Sequence, residues 1–220
     1  MQNCTANVLH LTIKCYLQNH NMNTTEFTAL LLLTTAASFT PGPNTTLSSA
    51  LAANFGLRRS LRFVFAVPVG WGALFTLCAA GVGSLVVAVP VLRYGIQVLG
   101  VGYLLWLAFK LAQSRQMAQA DASRLNVTFW QGVMLQFLNI KAWMLALTIV
   151  GGWLAGRPDA LARFAVTLPL MMLFGLASNL CYALVGSLLR EWLTQGGRLL
   201  LFNRGMAAIL VATAAWMATL

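Results

Sequence analysis

Ser38-Phe39-Thr40-Pro41-Gly42-Pro43-Asn44 lies inside an apolar run, Phe27 to Ala53, that is long enough to cross a bilayer. Two prolines and a glycine in consecutive positions cannot continue an α-helix. Pro41 and Pro43 lack an N–H, and each ring clashes with the turn before it. Unpaired backbone is costly in hydrocarbon, so such a break survives only inside protein or beside a wet cavity. The stretch therefore predicts a cavity at membrane depth, flanked by one half-helix ending in carbonyls and another beginning with N–H groups. A proline kink that holds no ligand is the competing reading.

The rest of the 220-residue chain fits a membrane setting. It is 59% hydrophobic and only 8% charged, whereas a soluble domain is about a quarter charged. Mean hydropathy is +0.76. Four acidic residues occur in all: Glu26, Asp121, Asp159 and Glu191. The net charge of +10 does not point to nucleic acid, because the basic residues stand singly between apolar segments, as loop anchors facing anionic lipid do. Cys78 and Cys181 sit in apolar segments and read as small core residues; Cys4 and Cys15 lie near the start. Neither a metal-ligand spacing nor a disulfide framework is evident, and no cofactor is expected.

Residues 1–21 differ in character. They are polar, hold both histidines (His10 and His20), and lack the apolar core and cleavage site of a signal peptide. Met22 opens a more conventional start, so residues 1–21 are expected to be a non-native or disordered extension. A chain beginning at Met22 should insert and function as well as the full one; lost function at equal expression would show that the extension matters.

From Met22 onward the sequence reads as one all-α integral membrane domain, 22–220, with six apolar segments. The first runs from about Glu26 to Ala53, the second from Leu61 to Val89, and the third from Arg93 to Leu111. A polar linker, Ser114 to Asn126, divides the halves 22–113 and 128–220. The fourth segment runs from about Phe129 to Ala155, the fifth from Leu161 to Leu189, and the sixth from Leu199 to the end. Loops after odd-numbered segments carry nine basic residues: Arg58, Arg59, Arg62, Lys110, Arg115, Arg124, Arg190, Arg198 and Arg204. The opposite side carries Arg93, Arg157 and Arg163, plus Lys14 of the extension, so both termini are expected on the periplasmic side. Trp106, Trp130, Trp153, Trp192 and Trp216 stand near segment ends, as interface anchors do.

An internal repeat is visible. Arg62-Phe63 followed by Pro68 matches Arg163-Phe164 followed by Pro169, and Gly95 to Trp106 matches the spacing of Gly205 to Trp216. Halves three segments apart have opposite membrane orientation, which is the inverted-repeat layout of many transporters, with the site between halves at mid-membrane. The counterpart of the first break should then lie in the fourth segment, where Gln136-Phe137-Leu138-Asn139-Ile140-Lys141 stands. Lys141 is the one charge in the middle of any segment. An ammonium at the bilayer centre costs at least about 2.5 kcal/mol on insertion scales and marks a functional candidate; snorkelling to an interface is the alternative. Asn179, beside Ser178, is a buried amide in the fifth segment, either a site group or interhelical glue.

Thr40-Pro41-Gly42-Pro43-Asn44, Gly56-Leu57-Arg58-Arg59-Ser60, Gly102-Tyr103-Leu104-Leu105-Trp106-Leu107-Ala108 and Asn139-Ile140-Lys141 resemble, in order and spacing, the lysine-exporter (LysE/RhtB) superfamily of bacterial inner-membrane amino-acid exporters. The resemblance covers Met22 to Leu220. That family's fourth-segment motif is Asn-Pro-Lys; isoleucine at the middle position here implies a blunter break. Leu135-Gln136-Phe137 and Asn179-Leu180-Cys181-Tyr182-Ala183-Leu184 look most like the cysteine/O-acetylserine exporter branch. The resemblance implies secondary export driven by proton-motive force.

A zwitterionic amino acid needs a cation or N–H cluster for its carboxylate and oxygens for its ammonium. The half-helix starting near Asn44 and the Lys141 ammonium supply the first; carbonyls freed near Phe39 and Thr40, with the Asn44 and Asn139 side chains, supply the second. The candidate substrate site is thus Thr40, Pro41, Gly42, Pro43, Asn44, Gln136, Asn139, Lys141 and Asn179. With no mid-membrane acid, a small neutral amino acid, cysteine- or homoserine-like, fits better than a dicationic one. Another small metabolite or a drug as cargo, a structural bundle and a membrane enzyme are the rival readings; the last lacks an acid–base pair or metal cluster. Expected partners are the amino acid and the lipid bilayer, not nucleic acid, with a homo-oligomer left open.

Overall fold

Buried amide clamps, glycine contacts and helix breaks set the architecture of the computed structural model, which describes residues 22–114, 127–195 and 197–219. The 1–21 extension and linker residues 115–126 lie outside the described residues. The described chain is helical throughout, in the order α1 (Thr24–Phe39), α2 (Pro43–Phe55), α3 (Leu57–Ala79), α4 (Val82–Ala88), α5 (Pro90–Ala112), α6 (Phe129–Leu138), α7 (Ile140–Ile149), α8 (Ala160–Leu188), α9 (Arg190–Leu193) and α10 (Arg198–Ala218). A π-helical turn, Val150–Leu154, extends α7.

Helix α1 starts with a reciprocal cap: Asn23 Oδ1 accepts from the Glu26 N–H at 2.7 Å, and Glu26 Oε2 accepts from the Asn23 N–H at 3.2 Å. Most of α1 is not buried. Helix α2 is the reverse, with Pro43 and every residue from Thr45 to Asn54 buried. Its small side chains (Thr45, Thr46, Ser48, Ser49, Ala50, Ala52, Ala53) let α3, α8 and α10 close in around it. The tightest approach is at Gly186 of α8, where a Cβ would lie 2.1 Å from the Ser49 carbonyl oxygen. Gly186→Leu should therefore separate α8 from α2 and cost about 1–3 kcal/mol or more by overpacking; a detergent-solubilised Tm unchanged from wild type would contradict this contact.

At its far end α2 is tied down by a second polar device that the sequence reading did not find. Asn54 and Asn203 exchange amide hydrogen bonds, Asn54 Nδ2 to Asn203 Oδ1 at 2.8 Å and Asn203 Nδ2 to Asn54 Oδ1 at 3.0 Å. Asn203 also donates to the Ser114 carbonyl at 3.0 Å. These bonds join α2, α10 and the end of α5. Along their length α5 and α10 pack against each other, closed at the opposite end by Gln97 Nε2 donating to the Met217 carbonyl at 2.7 Å.

Helices α3 and α8 run unbroken through Pro68 and Pro169. The second apolar segment is shorter than read from sequence: α3 stops at Ala79, and Gly81, at φ +99°, turns the chain into separate α4. The left-handed conformation is open to glycine at no steric cost, which a continuous apolar run conceals. Among the described residues four helices, α3, α5, α8 and α10, are long and apolar enough to span a membrane, and the bent pair α6–α7 makes a fifth candidate. The α1–α2 pair falls outside that count: its helices have 16 and 13 residues, and α2 is rich in Ser, Thr and Asn. The order broken helix, proline-bearing helix, long helix occurs twice, as α1–α2, α3, α5 and then α6–α7, α8, α10. Large apolar side chains such as Leu32, Val91, Val98, Leu161, Leu188 and Leu201 face outward, as a lipid-embedded surface requires.

Candidate functional site

Helix α1 ends at Phe39, and Thr40 leaves it in an extended conformation, φ −67° and ψ 130°. Pro43 begins α2, where a missing N–H costs nothing. The second break is at Asn139, φ −94° and ψ 99°, and α6 and α7 bend there by 67°. Absence of a proline does not keep this helix straight. Asn139 caps the new helix instead, its Oδ1 accepting from the Lys141 N–H at 3.2 Å.

The two breaks meet. Lys141 Nζ donates to the Thr40 carbonyl at 3.3 Å, crossing from one break to the other. Asn44 and Gln136 exchange two amide bonds, at 2.8 and 3.0 Å, beside them. Three carbonyls at the breaks, which the sequence places free for substrate or solvent, are already engaged. Phe39 O accepts from Tyr182 OH at 3.0 Å, Thr40 O from Lys141, and Phe137 O from Trp143 Nε1 at 2.8 Å. Each partner comes from another helix or from beyond the break, so tertiary structure satisfies these three carbonyls.

A cavity of about 70 Å³ opens at this junction. Of the residues predicted from sequence, Thr40, Gly42, Pro43, Asn44, Asn139, Lys141 and Asn179 line it. Pro41 is exposed outside it, and buried Gln136 stands behind it, bonded to Asn44. Gly42 lies against the lysine: a Cβ there would be 3.5 Å from Lys141 Nζ. Asn179 is already engaged, accepting from Ser48 Oγ at 2.8 Å and donating to the Gly175 carbonyl at 2.8 Å. It therefore joins α2 to α8 as well as facing the cavity. Ser38, Thr45, Trp71 and Met171 also line the cavity and were missed from sequence. A tryptophan in an apolar segment gives no sign that it lines a cavity.

At the Glu26 end of the bundle four charges form a cluster. Glu26 pairs with Arg157 at 3.0 Å and with buried Arg163 at 3.2 Å, and Arg163 pairs with Asp159 at 2.7 Å. Trp153 Nε1 donates to the Glu26 carbonyl at 3.0 Å, so this tryptophan clamps α1 rather than only anchoring an interface. The hydrogen bond from Arg163 holds the Asp159 carboxyl below the usual carboxylate range. The cluster ties the start of α1 to the connection before α8.

Two broken helices meeting at a small mid-bundle cavity, inside an apolar helical bundle, define a membrane translocator. The model of the LysE type translocator family matches residues 35–219, and the chain belongs to that family. It is 30% identical over 190 residues to the cysteine/O-acetylserine efflux protein of Escherichia coli (strain K12), covering 86% of this chain and 96% of that protein. It is 33% identical over 178 residues to the cysteine/O-acetylserine efflux protein of Salmonella choleraesuis (strain SC-B67), covering 81% of this chain and 90% of that protein. No solved structure matches the chain. The chain is a multi-pass membrane protein.

Proposed function

We propose that this chain is a secondary transporter that exports small neutral amino acids, cysteine or O-acetylserine among them, across the bacterial inner membrane. The observation that carries the reading is Lys141, a cation within the bundle that reaches 3.3 Å across two helix breaks to the Thr40 carbonyl, at the cavity where the breaks meet. An incoming carboxylate is a stronger partner for an ammonium than a neutral carbonyl is. Binding draws Nζ from Thr40 to the substrate carboxylate, and the Thr40 oxygen is released to accept from the substrate ammonium. The same two protein groups thus change partners rather than losing them.

In this reading α1–α2 is the sixth span, the halves 22–113 and 128–220 are inverted repeats, and both termini face the periplasm. The chain moves its cargo without chemistry on it. The names of its relatives support amino-acid export over a drug or another metabolite. Cells overproducing the chain should release more cysteine and O-acetylserine to the medium than cells with an empty vector. Equal release at verified membrane expression would count against the reading.

A further inference from the structure

We infer that Trp71 reads the cargo's side chain, its indole N–H donating to an uncharged acceptor such as an ester carbonyl or a hydroxyl; the inference rests on the amino-acid reading above. Trp71 lines the cavity and is 8% exposed, yet its Nε1 has no hydrogen-bond partner among the described residues. The indoles of Trp143 and Trp153 both donate to backbone carbonyls, at 2.8 and 3.0 Å. A buried donor left unpaired is costly, and beside a binding cavity the missing acceptor is most simply the cargo's.

The ring is held for that task. It stacks on Phe75 with centroids 5.0 Å apart and planes 15° apart, and Phe75 stacks on Phe164 at 5.5 Å and 6°. Neighbouring Gly70 is pressed against α6, where a Cβ would lie 2.6 Å from the Val133 carbonyl oxygen. The backbone carrying Trp71 has little room to shift. Lys141 and Thr40 serve the groups common to every amino acid, so discrimination must come from elsewhere on the cavity wall. An indole donates and does not accept, while a thiol sulfur is a weak acceptor. Trp71 therefore favours an oxygen-bearing side chain, O-acetylserine over cysteine.

The test is uptake of radiolabelled O-acetylserine and cysteine into inverted membrane vesicles by wild type and Trp71→Phe. Phenylalanine keeps a stacking ring and removes the donor. The KM for O-acetylserine should rise about tenfold, the equivalent of one hydrogen bond, with the cysteine KM within about twofold of wild type. Equal changes for both substrates, or none, would overturn the inference. Should Trp71→Phe fail to fold, benzothienylalanine placed at position 71 keeps the bicyclic shape and carries sulfur in place of N–H, and the same selective loss is expected. Wild-type vesicles that take up neither compound would instead defeat the transport reading beneath it.

Discussion

Lys141→Ala should leave a folded protein in the membrane and reduce export by about a hundredfold. The side chain is half-buried, and its one hydrogen bond among the described residues is to the Thr40 carbonyl across the break. Removing it takes a cation out of the bundle, which costs the fold little, because burying a charge is unfavourable to begin with. The substrate carboxylate, by contrast, loses a charge-assisted partner of about 3 kcal/mol, which corresponds to that hundredfold. Lys141→Arg should fail as well. A planar fork does not replace a compact ammonium packed against Gly42. Export at wild-type rate by well-expressed Lys141→Ala would show that the lysine is a structural strut between the breaks.

Replacing Pro41 and Pro43 together with alanine should raise or preserve thermal stability while export falls steeply. Alanine favours a helix interior by about 3 kcal/mol over each proline. The variant can run α1 into α2, and Thr40 O would then accept from the Asn44 N–H rather than from Lys141 or substrate. Pro41 is exposed and lines no part of the cavity, so its effect on export would come through the backbone it shapes. A purely packing role gives the opposite pattern: a lowered Tm with export per folded molecule unchanged. Measuring the Tm of detergent-solubilised protein beside vesicle transport separates the two.

The first break was legible because proline and glycine leave a helix no choice, and its position at Thr40–Pro43 agrees with the structure. The second was legible only as a polar cluster. Its agent, an asparagine cap, resembles any other buried amide until the Lys141 N–H is seen on it. The overreach of the second segment to Val89 has a similar cause, since the Gly81 turn is written in a backbone angle and not in polarity. What could not be read was pairing across the chain. Asn54 with Asn203, Asn44 with Gln136, and Trp71 beside the cavity depend on which helix faces which, and apolar segments carry little information on that point. The released carbonyls are the same case: the prolines announce that they exist, but only the fold shows Tyr182 and Lys141 on them.

The most direct measurement is transport by purified protein in liposomes, with an imposed pH gradient and radiolabelled cysteine or O-acetylserine, wild type beside Lys141→Ala. The account predicts gradient-driven accumulation by the wild type, saturable by unlabelled substrate and absent from the variant. Accumulation by both to the same extent would contradict a site built on Lys141, and accumulation by neither would contradict proton-driven transport of these amino acids.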